Sequence, residues 1–130
     1  MKNLSFLSPF KHAGSLMISE LASQNHFLLR RFFIASPSAS LPHGRGHFHK
    51  HGKQLIACIS GSVSFRFWDG QSEKRVDLTR DSVPILVTSP LWREYVFMDK
   101  NSMFLCLCDL SYEDSETSDS IDEFVSLINE

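Results

Sequence analysis

The sequence predicts an all-β domain of the sandwich or barrel type, with one C-terminal α-helix. Three observations lead there. Polar and apolar residues alternate with period two through the middle of the chain. About nine short runs of this kind are separated by turn residues every eight to twelve positions, the spacing of sandwiches and barrels. Only residues 118–129 carry the 3.6-residue apolar spacing of a helix. At 130 residues the chain fits a single domain, 1–130.

Taken in order, Gly14 to Glu20 and Phe27 to Ala35 read as strands, followed by a loop at Ser36-Pro37-Ser38-Ala39-Ser40. A histidine-rich strand follows, in which His47, His49 and His51 alternate with Phe48 and Lys50. Gln54 to Ile59 is an apolar strand ending at Ser60-Gly61. Ser62 to Trp68 and Glu73 to Leu78 form the clearest hairpin, joined through Asp69-Gly70, with Asp69 to Ser72 as a four-residue alternative loop. Val83 to Val87, Trp92 to Met98 and Ser102 to Cys108 complete the strands, and Glu113 to Asp119 reads as a solvated connector. In the helix Ser118 can cap, and Ile121, Phe124, Val125 and Ile128 fall on one face.

Composition excludes several classes. With 42% hydrophobic and 22% charged residues the chain is an ordinary globular one, not a disordered or fibrous one. No apolar run approaches the roughly 18 residues of a membrane-spanning helix, and Met1 to Phe6, with one basic residue but no continuous apolar core, is not expected to act as a secretory signal. Cys58, Cys106 and Cys108 are odd in number and sit in apolar runs, which predicts reduced, buried thiols and a cytoplasmic protein. Residues 1–100 hold thirteen basic and seven acidic side chains, a net +6; residues 101–130 hold eight acids and no base, a net −8. Beyond Arg30-Arg31 the basic residues do not cluster, so nucleic acid is not expected as a partner, nor is a membrane; a small anion remains a candidate.

The chemistry concentrates at Pro42-His43-Gly44-Arg45-Gly46-His47-Phe48-His49-Lys50-His51. On a strand, three imidazoles there share one face. One reading is metal binding: His47 and His49 stand as the His-x-His pair of a cupin metal signature, with Gln54 where glutamate is expected and Gly61 in register. Thr88 to Arg93 resembles the second cupin motif with Arg93 in place of its histidine. An amide and a guanidinium make a poor ligand set, because a guanidinium cannot ligate and repels a cation. The other reading is proton transfer by neutral-range imidazoles, with Arg45 and Arg93 holding an anion. Trp92, Phe48, Phe65 and Phe67 are available as apolar wall.

These residues resemble the metal-independent cupins that act as nucleotide-sugar 3,4-ketoisomerases, the WxcM-like family. The matching elements are Gly44-Arg45-Gly46-His47-Phe48-His49-Lys50, then Gln54 to Gly61-Ser62, and the ending Ser111-Tyr112-Glu113-Asp114 with Phe124 beyond it. Gly14-Ser15-Leu16, Arg31-Phe32-Phe33 and Pro90-Leu91-Trp92 are similar to further family segments. Phe33, Arg93 and Ala13 depart from it, standing where many members have tyrosine, histidine and arginine. The resemblance implies a cupin-type jelly-roll β-barrel without cofactor or metal. It also implies a homodimer, often with N-terminal strands (within residues 1–35) exchanged, and isomerisation of a dTDP-4-keto-6-deoxyhexose to its 3-keto isomer for 3-amino sugars of surface polysaccharides. On that basis His49 is expected as the base and His47 as its partner or as the acid on the oxygens. Arg45, Arg31, Lys50, His51, Trp92 and Arg93 are expected to contact substrate. A non-catalytic sugar-nucleotide-binding cupin and a metal-dependent cupin enzyme are the competing expectations.

Overall fold

The computed structural model describes residues 1–6, 27–38 and 43–130, with the side chains of 43–45 excepted. The expected strand at Gly14 to Glu20 lies outside the described residues. The described residues form ten strands and two short helices, in chain order β1 (Leu4–Phe6), β2 (Arg31–Ala35), β3 (His43–His49), β4 (Lys53–Ser60), β5 (Ser62–Trp68), β6 (Glu73–Thr79), β7 (Ile85–Thr88), β8 (Trp92–Phe97), β9 (Met103–Cys108), α1 (Tyr112–Ser115), β10 (Thr117–Ser118) and α2 (Ile121–Ile128).

Two antiparallel five-stranded sheets face one another, β1-β7-β4-β9-β2 and β10-β3-β8-β5-β6. Their facing surfaces bury Ile56, Val63, Phe65, Phe67, Ile85, Val87, Phe97, Phe104 and Cys106 in one core. The Phe65 ring of one sheet meets the Phe104 ring of the other edge-on at 5.2 Å. Period two governs which side chains enter. In β5, Val63, Phe65 and Phe67 are buried and the residues between them are not. In β2, Phe32 and Ile34 point out, 63% and 55% exposed, while Arg31, Phe33 and Ala35 turn inward.

The β5–β6 hairpin takes the longer of the two loops expected for it. Asp69 Oδ1 accepts from Gln71 N and Ser72 N at 2.9 and 2.8 Å, and Gly70 sits at φ 100°, where a side chain would be strained. All three cysteines are free and buried. No helix among the described residues is long and apolar enough to cross a membrane.

The C-terminal segment differs from expectation in two ways. The helix spans Ile121–Ile128, not 118–129, because Ser120 rather than Ser118 caps it, accepting from Glu123 N at 3.2 Å. Its buried face is Phe124 flanked by Leu127 and Ile128, with Ile121 48% exposed. The stretch read as a solvated connector is structured as well. Ser111 caps α1, Glu116 turns the chain back at φ 53°, and Thr117 and Ser118 pair with His49 and Phe48 as an added edge strand. Short polar residues gave no period from which so brief a strand could be read.

Candidate active site

The strand alternation that builds the core also fills one end of it with polar chemistry. A cavity of about 290 Å³ opens between the sheets. Arg31 and Phe33 reach it from β2, His47 and His49 from β3, Ile56 from β4, Phe65 from β5, and Arg93 and Tyr95 from β8; Phe104 and Cys106 of β9, Tyr112 of α1 and Thr117 of β10 complete the lining.

His47 and His49, two apart on β3, face inward together with ring centroids 5.4 Å apart and planes at 71°. A local irregularity sets this register. Three steps along β3 from Gly44 to His47 match two along β8 from Tyr95 to Arg93, so one extra residue is accommodated there. Gly46 lies inside it because a Cβ would sit 2.6 Å from Trp92 Cζ2.

His49 is buried and both ring nitrogens are engaged. Nδ1 lies 3.2 Å from Ser115 Oγ and 3.1 Å from Thr117 Oγ1, both brought to it by the α1–β10 turn. Nε2 lies 3.1 Å from Gln54 Nε2, and the Gln54 carbonyl oxygen accepts from Arg93 Nη1. Burial first, then the charges of Arg93, His47 and Arg31, hold the imidazole far below its ordinary value of 6.5, at about 2. It is therefore neutral across the physiological range. Burial pushes Arg93 downward too, and Tyr95 upward. Arg93 Nε and Nη2 and Arg31 Nε and Nη2 are buried with no hydrogen-bond partner among the described residues. Arg31 lies 5.5 Å from the ring centre of Tyr112, a residue 65% exposed, which puts this guanidinium nearer the cavity mouth than Arg93, itself 3% exposed.

The structure brings together His47, His49, Arg31 and Arg93 of the residues read from the sequence. Three others stand elsewhere. Lys50 follows His49 and so points to the opposite side of the strand, where it pairs with Glu123 at 2.9 Å. His51 lies beyond the end of β3, exposed, and pairs with Glu116 at 2.7 Å, so the three imidazoles do not share one face. Trp92, adjacent to Arg93, packs with Phe48 and Phe124 beneath α2 on the outer side of its sheet. Arg45 lies on β3, but its side chain is outside the described residues. Sequence reasoning missed Tyr95, Ser115, Thr117 and Cys106. Tyr95 was within reach, being two residues from Arg93 on the same strand face.

The two buried thiols of β9 lie 3.9 Å apart, and either can donate to the other. This contact, aided by Arg31, Gln54 and Arg93, draws Cys108 downward, and together with burial it raises Cys106.

Comparison with known proteins places this architecture. The chain is 23% identical over 128 residues to the TDP-4-oxo-6-deoxy-alpha-D-glucose-3,4-oxoisomerase of Aneurinibacillus thermoaerophilus, covering 98% of this chain and 91% of that one. It superposes with a TM-score of 0.84 on the sugar 3,4-ketoisomerase QdtA from Thermoanaerobacterium thermosaccharolyticum solved with TDP, at 21% identity over 98% of this chain and 95% of that chain. The TDP-quinovose 3,4-ketoisomerase WlaRB of Campylobacter jejuni gives a TM-score of 0.82 at 22% identity, covering 97% and 99%. The family model for FdtA, described as WxcM-like, C-terminal, matches residues 2–129, and with that match over nearly the whole chain this protein belongs to the FdtA family.

Proposed function

We propose that the cavity is the active site of a TDP-sugar 3,4-ketoisomerase that converts a dTDP-4-keto-6-deoxyhexose to its 3-keto isomer. The observation that carries this reading is one cavity holding two adjacent imidazoles and two guanidiniums with unfilled donors. The names of the relatives above support it.

The chemistry follows from the groups. The C4 ketone acidifies the C3 hydrogen. His49 takes that proton, the C3–H electron pair becomes a C3=C4 double bond, and the C4 oxygen gains a proton or a donor. Collapse of the enediol the other way re-forms a carbonyl at C3 as O3 gives up its proton, and His49 returns a proton to C4. One base reaching both carbons suffices, and His47 serves the oxygens. The enediol's oxygens gain charge in an apolar enclosure, where the spare Arg93 donors are worth most. Arg31, nearer the mouth, is suited to the diphosphate, which guanidinium recognises by paired charge-assisted hydrogen bonds. Arg45 is retained as a second phosphate contact from its place in the sequence. The fixed charge of Arg93 beside His49 opposes a cation at the imidazole pair, so a metal-dependent reaction is disfavoured.

The free, buried cysteines suit a reducing cytoplasm, where nucleotide sugars for surface polysaccharides would be used. A homodimer is supported by the exposed apolar residues Leu28, Leu29, Phe32 and Ile34 along the β2 edge.

The test is incubation with TDP-4-keto-6-deoxyglucose in deuterated water, followed by NMR of the sugar. A 3-keto product bearing deuterium at C4 is expected, and His49→Asn should lower its rate by about 10²–10⁴-fold with TDP affinity retained. Binding of TDP with no turnover would favour a non-catalytic binding protein. Turnover by His49→Asn within about tenfold of the parent, by the same principle, would move the base to His47.

A further inference from the structure

Resting on the isomerase reading, we propose that Arg93 and Gln54 are positioning residues that fix the tautomer of His49, keeping its proton on Nδ1 and leaving Nε2 bare to receive the substrate's proton. Each link in the chain has only one polarity. A guanidinium donates and never accepts, so the Gln54 atom facing Arg93 Nη1 is the carbonyl oxygen. That choice turns the amide nitrogen toward His49 Nε2 at 3.1 Å and Cys108 Sγ at 3.5 Å. An amide –NH₂ cannot accept, so His49 Nε2 must be the acceptor and carries no proton.

The far side of the ring agrees independently. Ser115 Oγ donates to the Tyr112 carbonyl at 2.9 Å, which leaves it only a lone pair to offer His49 Nδ1 at 3.2 Å. Thr117 Oγ1, at 3.1 Å, can accept from the same N–H. The opposite tautomer would set Nε2–H against the Gln54 N–H. Flipping the amide to relieve that would set its –NH₂ against the guanidinium. Arg93 thus controls a ring nitrogen that it does not touch.

The arrangement bears directly on proton transfer. A neutral amide N–H is a weaker, more replaceable cap on the Nε2 lone pair than a charged donor would be. Once Nε2 has taken a proton from carbon, its new N–H opposes that of Gln54. The relay therefore favours passing the proton on to the neighbouring carbon over retaining it.

The test uses the whole ligand-free protein labelled with ¹⁵N-histidine, with His49 assigned by difference from His49→Asn. Two-bond ¹H–¹⁵N correlation at pH 7 should show Nδ1 protonated and Nε2 unprotonated. Gln54→Glu offers acceptors to both Arg93 and the ring, and should move a proton onto Nε2. Its isomerisation kcat should fall by at least about 10-fold with KM little changed. A protonated Nε2 in the unmodified protein would overturn the proposal, and that spectrum decides even if the variant fails to fold. A folded Gln54→Glu protein with Nε2 still bare, or with undiminished kcat, would overturn it as well. A bare Nε2 in a protein that does not turn over the sugar nucleotide would instead overturn the isomerase reading and leave the tautomer assignment standing.

Discussion

Acid should destabilise this protein through His49 in a way that a single substitution can isolate. In the folded chain burial and three nearby cationic or ionisable side chains (Arg93, His47 and Arg31) keep the imidazole at about 2, against 6.5 when free. The remaining neighbours, Gln54, Ser115 and Thr117, are uncharged. Because the folded value is depressed, the unfolded chain binds a proton that the native one refuses. Stability is therefore whole above about pH 6.5 and falls as pH drops toward 2, at about 1.4 kcal/mol per pH unit once well below 6.5. Integrated from pH 7 to pH 5, the loss assigned to this one group is about 2 kcal/mol. Urea unfolding followed by tryptophan fluorescence, at pH 7, 6 and 5, would measure it for the parent protein and for His49→Asn. Every other titrating group is common to both, so the difference between the two stabilities should shrink by about 2 kcal/mol over that range. A difference constant to within about 0.5 kcal/mol, the usual additivity error, would refute the depressed imidazole.

Arg31→Ala should weaken TDP binding by about tenfold or more, through loss of a charge-assisted bond common to ground and transition states. Titration calorimetry reads this, and unchanged affinity would exclude Arg31 from the phosphate site. Lys50→Ala should leave that affinity intact and the urea midpoint little changed, because its partner Glu123 lies on the surface and the pair is screened by solvent. Phe124→Ala should destabilise by about 3–5 kcal/mol in urea unfolding, since the ring is fully buried between Phe48, Trp68 and Trp92.

The strands were legible because period two is a property of the chain itself. The same periodicity, applied one step further, also separates cavity-facing residues from outward-facing ones. Arg93 and Trp92 are neighbours on β8, and Lys50 and His49 are neighbours at the end of β3, so neither pair can face one cavity. His51 has the right parity but the wrong element. The strand stops at His49, and the chain turns through Gly52 at φ 96°. What could not be read was tertiary. Ser115 and Thr117 are 66 and 68 residues from His49 and reach it only because β10 adds to the edge of β3. No local pattern encodes a pairing of that span between short polar residues.

The polar end of the barrel is held by groups that would each be costly alone. A buried guanidinium needs an acceptor, and an imidazole between two cationic side chains needs to stay neutral. Gln54 meets both needs with one side chain, giving its oxygen to Arg93 and its N–H to His49. A carboxylate at that position would satisfy Arg93 more strongly, but it would draw a proton onto the ring nitrogen that the proposed reaction requires bare. An apolar residue would leave the Arg93 nitrogen and the His49 lone pair both without a partner. The amide that the sequence places where a metal-binding cupin would carry glutamate is thus more than a lost ligand. It lets a fixed positive charge and a neutral base share one apolar cavity.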